Sequence, residues 1–443
     1  MGYPTIDASN ALWARAQGLI PSGTQTLAKG PGQWSDGVAP KYLCRGKGSR
    51  VWDVDGNDYV DLVMGVGPLS LGYAHPEVDA AIAAQLKDGI TFSLMHPLEV
   101  EVAELVRDVV PGVESVRYSK TGADVTSAAI RVARAFTGKS KVLCCGYHGW
   151  HDWYIAVTDK TAGIPTAAQD LTYTFAYNDL DSVKEAIAAG LGEDLAAIIL
   201  EPTVFEAPQD GFLQGLRRIC DETGALLVFD EMWTGFRLAL GGAQARFDLR
   251  ADLCTFSKAV ANGMPLSLLT GRREVMSVCD RDVFFYTTFG GEALSLAAAK
   301  RTIEIMRDEP VFEHLARQGH ALKDGFNTIA EELGLDYARC VGFPERSLVK
   351  LAAPAGHDVD PLVMKTFVQQ EMIARGVLWG GFHNVSYAHG DAEVEQILRA
   401  YREVLPLLDA ATRDGSLPER LRGKVLEKVF RKVDNFHVKP VGR

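Results

Sequence analysis

The stretch LLVFDEMWTGFR (226–237) decides the fold, because it places two carboxylates directly after an unbroken apolar run. Such runs are typical of strands that helices cover on both faces of a sheet. A carboxylate that follows such a strand lies at its carboxyl end, where open α/β sheets place their ligands. Taken alone, Asp230 and Glu231 could equally begin an acidic surface loop, so the interpretation depends on the neighbouring strand.

A lysine follows a second apolar run, in CTFSKAV (254–260). Burying an unpaired ammonium group is costly, so a lysine here is a poor choice for structure alone. A desolvated lysine more readily becomes the neutral, nucleophilic amine that Schiff-base formation requires. Asp230 and Lys258 could then contact opposite sides of one cofactor ring. The carboxylate would keep a pyridine nitrogen protonated, and the pyridinium ring would act as the electron sink.

Short apolar runs alternate with amphipathic segments through the middle of the chain, which predicts a mostly parallel sheet with crossover helices. Two of the amphipathic segments, 124–138 and 211–224, end in glycine, a common signal for the end of a helix. The predicted strands are VRYSK (116–120), KVLCCG (141–146), AAIILEP (196–202), ALLVFDE (225–231), LCTFS (253–257) and LSLLTG (266–271).

The two ends of the chain have different patterns. A DG turn inside VWDVDGNDYVDLV (51–63) predicts a β-hairpin, and long helices are predicted over 360–376 and 391–411. The basic tail from Pro418 onward is mostly helical in pattern and is interpreted as a solvated surface helix.

These patterns predict an α/β fold in two domains. Residues 76–315 form the large domain with the central sheet, and both chain ends, 1–75 and 316–443, contribute to a smaller α+β domain. A chain of 443 residues is long enough for this division.

Two further segments follow predicted strands. In SKTGADVTSAAIRVAR (119–134), the backbone amides of a helix N-terminus are approachable at Gly122, which predicts an anion site suited to a phosphate; a simple capped helix is the alternative. The segment GYHGWHDWY (146–154) is rich in aromatic residues and favours stacking on a planar cofactor over metal ligation, because its two histidines lack a carboxylate-rich partner motif. No metal site is expected.

Composition narrows the class of protein. The net charge of −11 argues against a nucleic-acid partner, which needs a basic face. No apolar run is long enough to span a membrane, and no signal peptide is evident, so a cytoplasmic enzyme is expected. A nicotinamide-dependent dehydrogenase would need a glycine-rich turn after its first strand, which the sequence lacks. A non-catalytic protein that kept the fold is a further alternative, against which Lys258 and Asp230 both speak.

The order of these motifs resembles the class III (fold type I) pyridoxal-phosphate aminotransferases, with particular likeness to glutamate-1-semialdehyde 2,1-aminomutase-like proteins. The matching stretches cover roughly residues 20 to 400 and include WDVDGNDYVDL (52–62), GYHG (146–149), DEMWTGFRLALGGAQ (230–244), SKAVANGMPL (257–266) and TFGGEALSLAAA (288–299). The resemblance implies an aminotransferase that works by a ping-pong mechanism on an amino donor and a carbonyl acceptor. The alternative it leaves open is an aminomutase, which transfers the amino group within one molecule.

The resemblance also implies a role for individual residues. Lys258 would form the Schiff base with pyridoxal 5'-phosphate and move protons, and Asp230 would bind the pyridinium nitrogen. A homodimer with shared active sites is implied, with Thr288 reaching the phosphate from the neighbouring subunit. The other implied cofactor contacts are Gly122 and Ala123 at the phosphate, Tyr147 and Met232 on the two ring faces, and His148 and Glu201 near the ring.

The sequence departs from the aminomutase pattern near its N-terminus. Lys29 stands where the aminomutases have an arginine, which removes planar, bidentate recognition of a carboxylate. This puts glutamate-1-semialdehyde in doubt as the substrate. Aromatic candidates for substrate contacts, among them Trp150 and Trp379, suit a carbohydrate-like or apolar substrate, although each could equally belong to the core.

Overall fold

The secondary structure alternates strands and helices through the middle of the chain, in a computed structural model that describes residues 2–427. The helices are α1 (Asp7–Gln17), α2 (Pro76–Asp88), α3 (Pro97–Val109), α4 (Gly122–Thr137), α5 (Asp152–Ile155), α6 (Thr166–Gln169), α7 (Leu180–Ala186), α8 (Phe212–Thr223), α9 (Gly242–Phe247), α10 (Arg273–Met276), α11 (Ala293–Asp308), α12 (Val311–Glu332), α13 (Pro361–Ala374) and α14 (Asp391–Arg413). The strands are β1 (Leu43–Lys47), β2 (Arg50–Asp53), β3 (Asp58–Asp61), β4 (Ser115–Ser119), β5 (Lys141–Cys145), β6 (Thr172–Thr174), β7 (Leu195–Leu200), β8 (Leu226–Asp230), β9 (Leu253–Phe256), β10 (Ser267–Gly271), β11 (Ala338–Phe343), β12 (Arg346–Leu351), β13 (Val377–Leu378) and β14 (Phe382–Asn384).

The described chain divides into two units, one of residues 76–312 and one that combines residues 2–75 with residues 313–427. The central unit holds a seven-stranded sheet in the order β4-β10-β9-β8-β7-β5-β6. All six strands predicted for this region are present, and β6 is a further strand that the sequence pattern did not reveal. Strand β10 runs antiparallel to β4 and β9, while the other neighbours pair in parallel. The prediction of a mostly parallel α/β sheet is therefore confirmed.

Strand direction determines where the site can form. Because β10 is antiparallel to both β4 and β9, those two strands are parallel to each other, and β4, β5, β7, β8 and β9 all end at the same edge of the sheet. The strands are as apolar as predicted, and every residue of β7 and β8 is buried. Polar side chains that follow these strands are consequently brought together at one edge.

The unit made by the two chain ends contains a four-stranded sheet, β1-β2-β3-β13, and a three-stranded sheet, β11-β12-β14. The predicted hairpin over 51–63 is formed by β2 and β3, and the two predicted C-terminal helices are α13 and α14. The helical prediction for the tail is wrong where it can be checked. A 3₁₀ turn covers Pro418–Arg420, and 421–427 contain no helix. The remaining tail lies outside the described residues.

None of the helices within residues 2–427 combines the length and the apolar character needed to cross a membrane.

Two buried histidines make this unit sensitive to acid. The ring of His383 makes hydrogen bonds through both of its nitrogens. Its Nδ1 lies 2.8 Å from the Ser347 hydroxyl oxygen, and its Nε2 lies 2.7 Å from the Tyr401 hydroxyl oxygen. Burial lowers the pKa of the His383 imidazole to about 3, and burial also lowers the pKa of His389 to about 4. Both values lie below the usual histidine pKa of about 6.5. Both imidazoles are therefore neutral in the folded protein at a pH where they are protonated in the unfolded chain.

We expect the contribution of these two histidines to the free energy of unfolding to fall as the pH drops from about 6.5 toward 4, because the unfolded chain binds protons at these imidazoles that the folded chain does not. Each such histidine contributes a slope of about 1.4 kcal/mol per pH unit. His383→Gln should reduce this slope by up to about 1.4 kcal/mol per pH unit, which corresponds to one proton. The slope is measured by urea unfolding at pH values from 7 to 5. The matched control is His320→Gln, which changes an exposed histidine of α12 and should leave the slope as it is. An unchanged slope in His383→Gln would contradict the argument.

Candidate active site

The candidate site lies at the edge of the central sheet where β4, β5, β7, β8 and β9 end. The side chain of Asp230 ends β8 and is fully buried. Its Oδ2 lies 2.8 Å from Nδ1 of His148, and its Oδ1 accepts a hydrogen bond of 3.1 Å from the backbone amide of Met232. These two contacts fix the orientation of the carboxylate.

His148 is held from several sides. Its ring stacks on Trp153 with centroids 5.9 Å apart, and Thr126 of α4 donates to its backbone oxygen at 2.7 Å. Its Nε2 is buried and has no hydrogen-bond partner among residues 2–427. A buried polar atom without a partner indicates a position where a ligand can supply one. The neighbouring His151 makes a separate contact, through Nδ1 to the Ser127 hydroxyl at 2.7 Å.

Glu231, beside Asp230, has a different environment. It accepts hydrogen bonds from the Thr234 hydroxyl and from the backbone amides of Ala243 (2.7 Å) and Gln244 (3.1 Å). Burial raises the pKa of the Glu231 carboxyl to about 7. The Glu231 carboxyl group thus binds the loop between β8 and α9. Of the two acidic residues at the end of β8, Asp230 is the one that contacts His148.

Lys258 follows β9 and begins a short 3₁₀ turn, Lys258–Ala261. Its backbone φ is +50°, in the left-handed region that non-glycine residues rarely adopt. Such a conformation costs of order 1–3 kcal/mol and tends to occur at functional sites. The Nζ atom lies over the indole of Trp233, 3.8 Å from the ring centroid.

The N-terminus of α4 is prepared for an anion. A capping box between Thr121 and Asp124 uses the backbone amides of those two residues. Within the described part of the chain, the amides of Gly122 and Ala123 have no hydrogen-bond acceptor. Helix N-terminal amides in this state bind phosphate groups.

Close packing around this helix N-terminus requires residues without a Cβ. A Cβ added at Gly122 would lie 2.9 Å from Sδ of Met232. Gly149, with φ of +102°, approaches the backbone of Ala123, where an added Cβ would lie 2.8 Å from Cα. The loop after β5 and the turn after β8 therefore both reach the first turn of α4.

The remaining predicted cofactor contacts lie in the same unit. Glu201 directly follows β7, is buried, and accepts a hydrogen bond of 2.8 Å from the backbone amide of Tyr147. The ring of Tyr147 is partly buried and packs edge-on against Tyr154. Thr288 is exposed, on the segment between α10 and α11.

The predicted substrate contacts differ in exposure. Trp150 follows Gly149 and is 70% exposed. Lys29 is exposed in the N-terminal segment, within the other unit. Trp379 is fully buried and packs against Tyr401, which favours the core alternative that the sequence left open. Their contacts with substrate stay predictions.

Sequence reasoning did not identify two features of the site. It assigned no role to Gly149, although a glycine between a histidine and a tryptophan after a strand is a signal of close backbone approach. It also did not pair Trp233 with Lys258, because the contact depends on how two strands are aligned.

The residues present fit pyridoxal 5'-phosphate. Four groups belong to connected segments at one edge of the sheet. They are a lysine amine, a buried carboxylate, a stacked histidine whose Nε2 has no partner among the described residues, and a pair of helix N-terminal amides. An amine, a ring-nitrogen partner and a phosphate cradle are the three contacts that this cofactor needs. Fold and site together define a fold type I pyridoxal-phosphate enzyme.

Comparison with known proteins agrees with this class. The sequence profile of the family Aminotransferase class-III matches residues 34–343. The chain is 34% identical to the 3-aminobutyryl-CoA aminotransferase of Cloacimonas acidaminovorans, over 90% of this chain and 96% of that protein. It is also 34% identical to a glutamate-1-semialdehyde 2,1-aminomutase of Desulfitobacterium hafniense, over 92% of this chain and 100% of that protein.

A solved structure shows the same fold. The FumI protein of Sphingopyxis sp. MTA144, in its PLP internal aldimine form, superposes with a TM-score of 0.84 at 31% identity and covers 92% of this chain and 97% of that one. The protein therefore belongs to the class III aminotransferase family. It is a pyridoxal-phosphate-dependent aminotransferase.

Proposed function

We propose that this enzyme moves an amino group from an amino donor to an aldehyde or ketone by a ping-pong mechanism, with Lys258 and Asp230 as its catalytic residues. The observation that carries the proposal is the pairing of parallel strands β8 and β9, which places Asp230 opposite Thr255, three residues before Lys258. The buried carboxylate and the lysine amine thus belong to neighbouring strand ends.

When bound, pyridoxal phosphate supplies a protonated pyridine ring that takes up the electron pair left by the bond broken at the substrate carbon. Asp230, oriented by His148 and by the Met232 amide, would hold the proton on the ring nitrogen. Lys258 would carry the cofactor between turnovers, and its Nζ would accept and return the proton of the substrate carbon.

Other residues would bind and orient the cofactor. The amides of Gly122 and Ala123 would donate to the phosphate, and Tyr147 and Met232 would lie against the ring. His148, through its unused Nε2, and Glu201 would border the ring. All of these residues lie between positions 76 and 312, which supports 76–315 as the cofactor-binding domain.

A cytoplasmic homodimer is part of the proposal. None of the seven cysteines, all of which lie within the described residues, forms a disulfide, as is usual in a reducing compartment. Thr288 is flanked by large apolar side chains that are mostly exposed, and further ones lie near the start of α3. Exposed apolar patches of this kind mark protein interfaces. The apolar residues concerned are Phe284, Tyr286 and Phe289, together with Phe92, Leu94 and Met95.

The donor can be identified by a half-reaction screen. Purified enzyme is mixed with one amine at a time, including glutamate, alanine and diamines, while the visible absorbance of the bound cofactor and the released oxo product are followed. Loss of the visible band with one equivalent of oxo product per site supports transamination and names the donor. If no amine converts the cofactor to pyridoxamine phosphate, the proposed ping-pong reaction is wrong.

The alternative function is an intramolecular aminomutase, which the relative from Desulfitobacterium hafniense favours. In the same screen, glutamate-1-semialdehyde would then be consumed catalytically, with its amino group moved within the molecule and without net conversion of the cofactor to pyridoxamine phosphate. Lys29, in place of an arginine, makes this the weaker candidate, because an ammonium group cannot bind a carboxylate through two parallel hydrogen bonds.

Gly149→Ala should weaken binding of pyridoxal phosphate by about tenfold or more, since the added Cβ would collide with the backbone of Ala123 and displace the phosphate-binding amides. The measurement is titration of the cofactor-depleted enzyme with pyridoxal phosphate. Gly163→Ala is a matched control, because Gly163 also has a positive φ, +86°, but has open space around the added Cβ. Equal affinities in the two variants would contradict the proposed effect of the collision with Ala123.

A further inference from the structure

Trp233 lies directly beneath the lysine amine. The Nζ of Lys258 is 3.8 Å from the centroid of the indole ring. The contact follows from strand register, because Asp230 of β8 pairs with Thr255 of β9, and each partner of the contact lies three residues further along its own chain segment.

The chain around the indole is held by neighbouring contacts. Trp233 as a whole residue is 9% exposed. The residue before it, Met232, is tied by its backbone amide to Asp230, and the residue after it, Thr234, donates its hydroxyl to Glu231. Gly235 is also packed closely, since an added Cβ would lie 2.4 Å from the ring of Phe256. The chain is therefore held on both sides of Trp233.

The lysine backbone is fixed as well. Lys258 adopts φ of +50° and leads into a 3₁₀ turn whose next residues, Ala259 and Val260, are buried. The Ser257 hydroxyl, one residue earlier, donates to the carbonyl oxygen of Leu266 at 2.7 Å. With both backbones held, the contact between amine and indole is a property of the fold.

The face of an indole attracts a cation through its quadrupole and does not attract a neutral amine in the same way. The ring therefore stabilises the protonated form of an amine above it. For a partly buried pair, this stabilisation corresponds to about a two- to thirtyfold change in the ratio of the two forms.

We propose that Trp233 is a positioning residue for Lys258: its ring face holds the protonated amine whenever the lysine is not bonded to the cofactor, and so sets how much of the lysine is available as a base. The proposal rests on the role of Lys258 under the proposed function. It gives the tryptophan at this position a part in the reaction that hydrophobic packing alone would not.

The test uses the full-length enzyme loaded with pyridoxamine phosphate, in which Lys258 has no bond to the cofactor. Acetic anhydride acetylates neutral amines, and mass spectrometry of the peptide that contains Lys258 gives the rate at each pH. The midpoint of the rate profile reports protonation of the amine, whereas its plateau at high pH reports access of the reagent.

We expect Trp233→Leu to move the midpoint to lower pH, so that Lys258 is acetylated about tenfold faster below the midpoint. Trp233→Phe keeps an aromatic face and should retain the wild-type midpoint. The matched control is Trp52→Leu, which removes an indole of β2 whose ring centroid lies 4.5 Å from the guanidinium of Arg45 in β1, and it should not move the midpoint.

An unchanged midpoint in Trp233→Leu overturns the proposal, and so does an equal shift in the leucine and phenylalanine variants. If Trp233→Leu does not hold the cofactor, Trp233→Met, which keeps more side-chain volume without a ring, takes its place. Borohydride reduction of the pyridoxal-loaded enzyme separately identifies the lysine bonded to the cofactor. If that lysine is not Lys258 the proposed function fails, while the acetylation profile still decides whether Trp233 controls the amine.

Discussion

Lys258→Ala should lower kcat by at least roughly a thousandfold, because the variant loses both the amine that bonds the cofactor and the group that moves the substrate proton. The alanine side chain carries no amine, and the indole of Trp233, which lies beneath Lys258, cannot act as a base. The measurement is the steady-state rate with the donor found in the half-reaction screen, together with the visible spectrum of the bound cofactor. Both should be lost while thermal unfolding remains cooperative.

The control for this variant is Lys184→Ala, which removes an exposed lysine of α7 paired with Asp181. It should keep the wild-type rate and spectrum. Borohydride reduction followed by peptide mapping should find the cofactor on Lys258 in the wild type and in Lys184→Ala. Substantial turnover by Lys258→Ala would mean that another amine performs the reaction.

Asp230→Asn should lower kcat by about a hundredfold while leaving cofactor binding nearly intact. A hydrogen bond to a charged group contributes about 1.5–3 kcal/mol, and an asparagine cannot keep the ring nitrogen protonated as a carboxylate does. The side chain stays in place, since an amide can still contact His148 and the Met232 amide. Single-turnover rates measured by absorbance would separate this loss from any change in donor binding.

Asp252→Asn provides the comparison within the same sheet. Asp252 precedes β9, is buried, and pairs with Arg217 at 2.7 Å, so the substitution removes a buried charge at the opposite end of the strand from Lys258. It should lower stability and leave kcat within about threefold of the wild type. A wild-type rate in Asp230→Asn would show that a different carboxylate partners the ring nitrogen.

Two adjacent acidic residues show how far sequence reasoning reached. Asp230 and Glu231 stand together at the end of the apolar run, and the sequence argument paired Asp230 with Lys258 without a local feature that separates it from Glu231. The structure adds a physical distinction, because Glu231 accepts three hydrogen bonds within its own loop and burial raises its pKa to about 7. Which of the two carboxylates accepts the loop's hydrogen bonds depends on the path of the chain as far as Gln244. No local sequence pattern encodes that path.

The tail and the sheet show where local patterns fail. The helical pattern after Pro418 did not produce a helix over 421–427, because tertiary contacts take up its backbone amides: Arg422 donates to the Gln370 side chain and Leu426 to the Thr366 hydroxyl. The direction of β10 was also beyond reach, because an unbroken apolar run is compatible with either direction of a strand that is buried on both faces.

The sequence by itself determined the α/β class, the strands of the central sheet that carry the site residues, and the positions of Asp230, Lys258 and Gly122 at strand or helix ends. These features are encoded locally, in the length of apolar runs and in the residues that interrupt them. Tertiary structure alone decided that His148 pairs with Asp230, that Gly149 lies against Ala123, and that Trp233 lies under Lys258. Each of these contacts joins segments from different strands, so it depends on strand order and register, which no single stretch of the chain contains.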